Sequence, residues 1–326
     1  MAPVLGALRR LAMAPSLAEV SFAGRGFPVE PSARTRKLEA VPQAVVCGFE
    51  WGIEDRDLAT TERRLSMVEP EVKGFAYEGA TMACAIRDVM GPQGHRTRDL
   101  LQGGGKPHIF LNYIGIGFAM ARLPRPLWKK LVPDLDGAEY YPAMSWLAVD
   151  GYGFDRAYFD TARWVDEQRL DTPYAWEGDA DYFQRAVDQG IGRALWFING
   201  GHTAQVSAAV RRFAGDRRPD LWSGVGLAAT FAGGATAAEL ATLVEEAGES
   251  RDHLGQGSVF AAKARHHAGF VPEHTRTAVH AFTGLEVDAV ARLADDCAAT
   301  EADPEVGPAY EVWRKGVREQ LLAHAV

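Results

Sequence analysis

The stretch Arg218-Pro219-Asp220-Leu221-Trp222-Ser223-Gly224-Val225-Gly226-Leu227-Ala228-Ala229-Thr230 admits two readings. Gly-x-Gly-x-x-Ala outlines a dinucleotide loop, in which glycine lets backbone approach a pyrophosphate, but that loop must follow a strand. The Pro-Asp-Leu-Trp run in front of it is not one. The phrase also recurs, as Gly115-Ile116-Gly117, Gly151-Tyr152-Gly153, Gly190-Ile191-Gly192 and Gly255-Gln256-Gly257, with a degraded copy, Glu78-Gly79-Ala80. The second glycines stand at 79, 117, 153, 192, 226 and 257. A period of this size, near that of known two-helix repeats, does not suit a single nucleotide site.

Glycine inside a helix costs about 1 kcal/mol against alanine, so two per repeat need a compensating gain. Close approach of neighbouring helices supplies one; Gly117 and Ala121, four apart, share a face. The alternative has the first glycine of each pair ending one helix and the second opening the next.

Outward from the phrase, helical periodicity dominates. Asp57 to Val68, Gly74 to Met90, His108 to Leu123 and Tyr141 to Asp166 read as helices. So do Asp179 to Ile198, Thr203 to Phe213, Leu221 to Ala232, Ala235 to Ala247, Arg251 to Ala268, Glu273 to Ala281, Val287 to Ala298 and Pro308 to Ala325. Gly233-Gly234, Gly248, Gly269 and Gly284 are natural helix stops. The expected fold is all-α, a single repeat-like domain of paired antiparallel helices, α-solenoid or α/α bundle, over residues 51–326. Residues 1–50 lack a clear period and are expected to wrap on that body, with Val45 to Trp51 as a short extended piece.

A chain of 326 residues, 47% apolar, can bury a sizeable core. Its net charge of −8 and scattered basic pairs argue against nucleic-acid binding. Cys47, Cys84 and Cys297 form no Cys-x-x-Cys pattern, which fits a reducing cytoplasm. Arg9-Arg10 interrupts the apolar N-terminus, so no secretory signal is read there, and no window is apolar enough to span a membrane. Val4, Leu5, Leu8, Leu11 and Ala12 mark one face of a short helix, expected either to dock on the protein's own body or to meet a partner or membrane surface.

No Gly-x-Ser-x-Gly elbow, His-Glu-x-x-His helix or Asp-Asp-x-x-Asp motif is present, and Pro107 spoils Gly103-Gly104-Gly105-Lys106 as a phosphate loop. His266-His267, His274 and His280 do not share a helical face, so no metal site is expected. The sequence implies no cofactor. Polar residues beside the glycine phrase, where the pattern demands burial, are the better candidates: Glu78, Asp150, Asp188, Gln189, Arg193, Ser223 and Gln256. A charge there must be paired or shift its pKa. If repeats stack in register, Glu78, Asp150, Asp188 and Gln256 line one cavity. The competing account is structural pairing, Asp188 with Arg193 and Asp220 with Arg217 or Arg218. Interleaved aromatics, among them Tyr77, Tyr113, Tyr152, Trp196 and Trp222, are core or the walls of a pocket for an elongated apolar ligand.

The phrases Gly74-Phe75-Ala76-Tyr77-Glu78-Gly79-Ala80, Leu147-Ala148-Val149-Asp150-Gly151-Tyr152-Gly153-Phe154, Asp188-Gln189-Gly190-Ile191-Gly192-Arg193 and Arg218 through Ala228 resemble the UnbL-type proteins of enediyne gene clusters. Leu254-Gly255-Gln256-Gly257 and Ser21-Phe22-Ala23-Gly24-Arg25-Gly26-Phe27 do so too, and the likeness covers nearly the whole chain. It implies a role in polyketide antibiotic biosynthesis, converting a linear conjugated polyene into the enediyne core precursor. It implies no agreed catalytic residues. On the residues alone, Glu78, Asp150 and Asp188 are acid/base candidates and Arg193 and Gln256 orienting groups, with the five aromatics as ligand walls. Two alternatives stay open: a non-catalytic polyene carrier serving a membrane-bound partner, peripheral to the membrane, and a cyclase acting on another apolar substrate.

Overall fold

The computed structural model describes residues 2–91 and 94–324, with side chains from Gly6 onward. The chain is all-α, with no strand among the described residues. It divides into two compact units, Met1–Gly26 with Glu39–Tyr152, and Phe27–Leu38 with Gly153–Val326. Residues 1–26 thus fall in the first unit and 27–38 in the second, and Glu50 lies inside a helix.

The helices of the first half are α1 (Ala2–Met13), α2 (Leu17–Val20), α3 (Phe22–Arg25), α4 (Ala33–Glu54), α5 (Leu58–Ser66), α6 (Pro70–Met90), α7 (Arg96–Gln102), α8 (Ile109–Arg122) and α9 (Leu147–Phe159). Those of the second are α10 (Phe183–Ile198), α11 (Thr203–Arg211), α12 (Arg218–Ala232), α13 (Ala237–Ala247), α14 (Arg251–His267), α15 (Glu273–Thr283), α16 (Val287–Asp296) and α17 (Ala309–His324). Local chemistry sets many of these limits. Pro70 opens α6, and Thr236 and Glu239 form a reciprocal capping box on α13. Gly284, at φ 70°, closes α15 in the left-handed region that glycine enters without a Cβ penalty.

Val45 to Trp51 is helical, not extended, because α4 runs unbroken through it. Thr35, Leu38, Val41, Val46, Phe49 and Ile53 are among its buried positions, a helical stripe that Pro42 and the β-branched Val45-Val46 pair conceal.

The glycine phrase lies inside helices, so the helix-end reading of it fails and the packing reading holds. Residues two apart on a helix point about 200° apart, so the pairs Gly115/Gly117, Gly151/Gly153 and Gly224/Gly226 each serve two neighbours rather than one face. In the first unit a methyl on Gly115 would overlap the Glu78 carbonyl of α6, and one on Gly117 would overlap the Ala148 carbonyl and stand 2.6 Å from the Tyr152 nitrogen of α9. In the second unit Gly224 meets the Gln189 carbonyl of α10, and Gly226 the Leu254 carbonyl of α14. The contacts are reciprocal: Gly192 of α10 faces the Leu221 carbonyl, and Gly257 of α14 that of Ser223. Gly48 of α4 joins the row through the Ala76 carbonyl, answered by Gly79 against Val45.

Helices α10, α12 and α14 thus form the central layer of the second unit, with α11, α13 and α15 as a second layer and α16 and α17 packed on α14. In the first unit α5 and α7 pack on α6. Helix α1 docks on α4 through Gly6, against the Glu54 backbone, and through Arg10, 3.6 Å from the Glu54 carboxylate. Leu8 and Leu11 are not on the docking face. Leu8 is 56% and Leu11 77% exposed, and Ala12 is exposed as well, whereas the Val4 and Leu5 side chains lie outside the described residues. No helix among the described residues is long and apolar enough to cross a membrane.

Candidate functional site

The three candidate carboxylates fall in different units. Glu78 and Asp150 are buried in α6 and α9 of the first, and Asp188 in α10 of the second.

In the first unit Tyr77 belongs to a core cluster with Leu65, Ala80, Cys84 and Leu100 and stacks on His108, ring centroids 4.7 Å apart. Burial, then Glu62, pushes its hydroxyl pKa upward. Tyr152 packs edge-on to Trp128 at 5.0 Å, and Tyr113 is wholly buried in α8. A short polar thread crosses α6 and α8: Thr81 Oγ1 donates to Asn112 Oδ1 at 3.1 Å, and Asn112 Nδ2 to the Gly105 carbonyl at 2.8 Å.

The second unit holds a larger construction. Arg314 of α17 has no solvent exposure and reaches into the layer of α10, α12 and α14. Its Nη1 donates to Asp220 Oδ1 (3.0 Å), Glu311 Oε2 (2.6 Å) and the Tyr182 hydroxyl, and its Nε to Gln256 Oε1 (3.0 Å). Ser223 Oγ donates to the same Gln256 oxygen at 3.0 Å. Arg185 spans Asp220 Oδ2 (2.8 Å) and Glu311 Oε1 (3.0 Å). Gln189 donates to Asp220 Oδ1 (2.9 Å) and to the Tyr182 hydroxyl (3.1 Å), which itself donates to Glu311 Oε2 (2.7 Å). Beside this knot Asp188 takes a two-pronged grip from Arg217, Nη2 to Oδ1 at 2.6 Å and Nε to Oδ2 at 3.0 Å, plus a bond from Gln184 at 2.9 Å.

The same surroundings move neighbouring carboxyls in opposite directions. Burial works against the charge on Asp220 and Glu311, but Arg314 with Arg185, and for Glu311 also Arg318, outweigh it and hold both below the usual carboxylate range. At Asp188 burial dominates, and Arg217 and Gln184 offset only part of it. Its carboxyl is pushed up to about 6. Asp188 is thus a buried carboxyl raised by burial and tied to a guanidinium that stabilises its ionised form.

Of the residues singled out in the sequence, Asp188, Gln189, Ser223 and Gln256 all join this assembly. Arg193 does not pair with Asp188; its guanidinium lies 4.9 Å over the Phe154 ring. Asp188 pairs instead with Arg217, and Asp220 with Arg185 and Arg314, while Arg218 donates to the Phe213 and Arg211 carbonyls. Trp196 is spent on structure, its indole nitrogen donating to the Gly233 carbonyl at 2.9 Å beyond the end of α12, and Trp222 is buried in α12. Tyr182, Arg185, Glu311 and Arg314 are the additions that sequence reasoning missed. Glu311-x-x-Arg314-x-x-x-Arg318 resembles a solvated ion-pair stripe, and the one available signal was its position beside the apolar stripe Tyr310, Trp313 and Val317.

Among the described residues no group of three or more His, Cys, Asp or Glu is placed to hold a metal ion. The three cysteines are free, and burial raises the Cys84 thiol to about 12.

Fold and site together define an all-α protein in which glycine-contacted helices enclose a buried ion-pair network. The chain belongs to the family described as Protein of unknown function (DUF1702), whose model matches residues 4–321. No curated protein and no solved structure matches it.

Proposed function

We propose that this protein is a polyene-processing enzyme of enediyne biosynthesis, binding a linear conjugated polyketide-derived chain and handling a proton during its conversion to the core precursor. The reading joins the resemblance of the glycine phrases to UnbL-type proteins, over nearly the whole chain, with one observation, the buried Asp188 carboxyl gripped by Arg217 and Gln184 and raised by burial to about 6. Asp188 is the acid/base group of this reading, and Arg217 stabilises its charged form. Gln256 and Arg193 are orienting groups, and Trp222 supplies an apolar wall. Glu78 and Asp150 with Tyr77, Tyr113 and Tyr152 form the corresponding candidates of the first unit, where a second acid/base step would reside. The test is reconstitution of polyene conversion with purified wild-type protein and Asp188→Asn, polyene binding being followed separately by its absorbance. Retained binding with conversion lowered at least 100-fold supports the assignment, and unchanged conversion overturns it.

The outward-facing leucines of α1 favour a second reading, a carrier that delivers the polyene at a membrane. Leu8 and Leu11 changed together to serine would then abolish co-sedimentation with anionic lipid vesicles while leaving polyene binding intact. Equal sedimentation of both proteins would rule the carrier reading out.

A further inference from the structure

The acceptors in the Arg314 knot are fully used. Asp220 Oδ1 and Oδ2 and both Glu311 oxygens each receive at least one bond, and Gln256 Oε1 receives two. Donors remain. Arg314 Nη2 and Arg318 Nη1 are shielded from solvent and bonded to nothing. The two arginines stand four apart on α17 and therefore share a face; each gives one Nη to Glu311 and keeps the other. A buried guanidinium nitrogen without an acceptor is costly, so two on one face call for oxygens.

The groups around them complete a site. Asp252 and His253, from the first turn of α14, supply two further shielded atoms without partners, Asp252 Oδ1 and His253 Nδ1. Arg318 Nε lies 3.9 Å from the other oxygen of Asp252, too long for a hydrogen bond. Burial, then the charges of Arg318 and Arg314, lower the His253 ring to about 4, which favours its neutral form at pH 7. Side-chain exposure rises from none at Arg314 through 11% at Arg318 to 18% at Asp252, so the cluster runs from a fully buried end to a partly exposed one. The charges of Arg185, Arg314 and Arg318 already balance those of Asp220, Glu311 and Asp252. The surplus is in hydrogen-bond donors, with one acceptor, Asp252 Oδ1, at the rim.

We infer that Arg314, Arg318, His253 and Asp252 form a binding site for a small oxoacid group, a phosphate or a carboxyl, whose oxygens accept from the two guanidinium groups; hydrogen phosphate keeps an O–H that donates to Asp252, and a carboxylate binds with one proton taken up from solvent and held between it and Asp252. Planar guanidinium forks suit this geometry better than an ammonium would. The site does not depend on the polyene reading, and it uses none of the groups assigned to acid/base chemistry above.

Calorimetric titration of the full chain tests it, with sodium phosphate in one arm and sodium octanoate in the other, each against sodium chloride of equal ionic strength. Saturable one-site binding of either probe is expected, with the His253 ring resonances shifting on binding. Arg318→Gln, a partly exposed position whose variant can be checked for folding by circular dichroism, should weaken the binding at least tenfold. Phosphate alone binding identifies a phosphate site, and octanoate alone a carboxyl site. No saturable binding of either probe overturns the inference. So does binding that Arg318→Gln leaves unchanged, or binding that does not move the His253 resonances.

Discussion

In α8, Gly115 and Gly117 admit α6 on one side and α9 on the other; in α12, Gly224 and Gly226 admit α10 and α14 in the same way. The side chains hung on the two helices then differ. Helix α8 contributes Asn112 to a thread of neutral hydrogen bonds with Thr81 and the Gly105 carbonyl. Helix α12 contributes Asp220 and Ser223 to a knot that holds a fully buried arginine. Backbone spacing and chemical content are thus separable: the glycines fix how near two helices run, and the polar residues beside them are free to serve different ends.

Arg314→Met strikes the chemical half of that contrast hardest. It removes a central cation from Asp220 and Glu311, and stability measured by urea unfolding at pH 7 should fall by about 3–5 kcal/mol. A loss below about 1 kcal/mol would mean that Arg185 and Arg318 suffice on their own.

Gly117→Ala and Gly224→Ala test the shared half. Each places a methyl on a neighbouring backbone carbonyl, which cannot rotate away as a side chain could, so each should cost about 1–3 kcal/mol. The comparison requires the two losses to be similar. A large loss in one and none in the other would break it.

The dependence on pH sharpens the picture within the knot. Asp188, raised from 3.8 to about 6, favours the folded state when protonated, so its contribution is complete below about pH 4 and is lost as pH rises through about 6. Wild-type stability relative to Asp188→Asn should therefore decline by about 3 kcal/mol between pH 4 and 7 and then level off. Glu311 and Asp220, held low, act with the opposite sign: their contribution is present at neutral pH and fades as pH falls below the ordinary carboxylate range. A flat difference between wild type and Asp188→Asn would contradict the raised carboxyl. The smallest effect is expected for Thr81→Val, which breaks one neutral bond in the first unit and should cost about 1 kcal/mol by thermal or urea unfolding.

The central helices were legible because their glycine phrase repeats and because Pro70, Gly233 and Gly284 punctuate them. Helix α4 was not. Pro42 interrupts its pattern, and its close-packing glycines, Gly48 and Gly52, stand four apart instead of two. Asp188 and Gln256 could be picked out as polar residues in apolar surroundings. Their arginine partners could not, because Arg217 and Arg314 lie at sequence separations that only the folded chain closes, in stretches whose charges look solvated when read alone. The division into two units was equally invisible, since Tyr152 and Gly153, on either side of it, sit within one continuous helix.

The opposed directions of Gly224 and Gly226 bear on how this chain can change length. One residue inserted between Gly224 and Gly226 would swing the second glycine about 100° off its neighbour and present a Cβ to the Leu254 carbonyl instead. The central helices are therefore frozen in phase. The unequal spacing of the repeats has been absorbed in the connections and outer helices, and those are the places where a tag or an added loop can be accommodated without disturbing the rest.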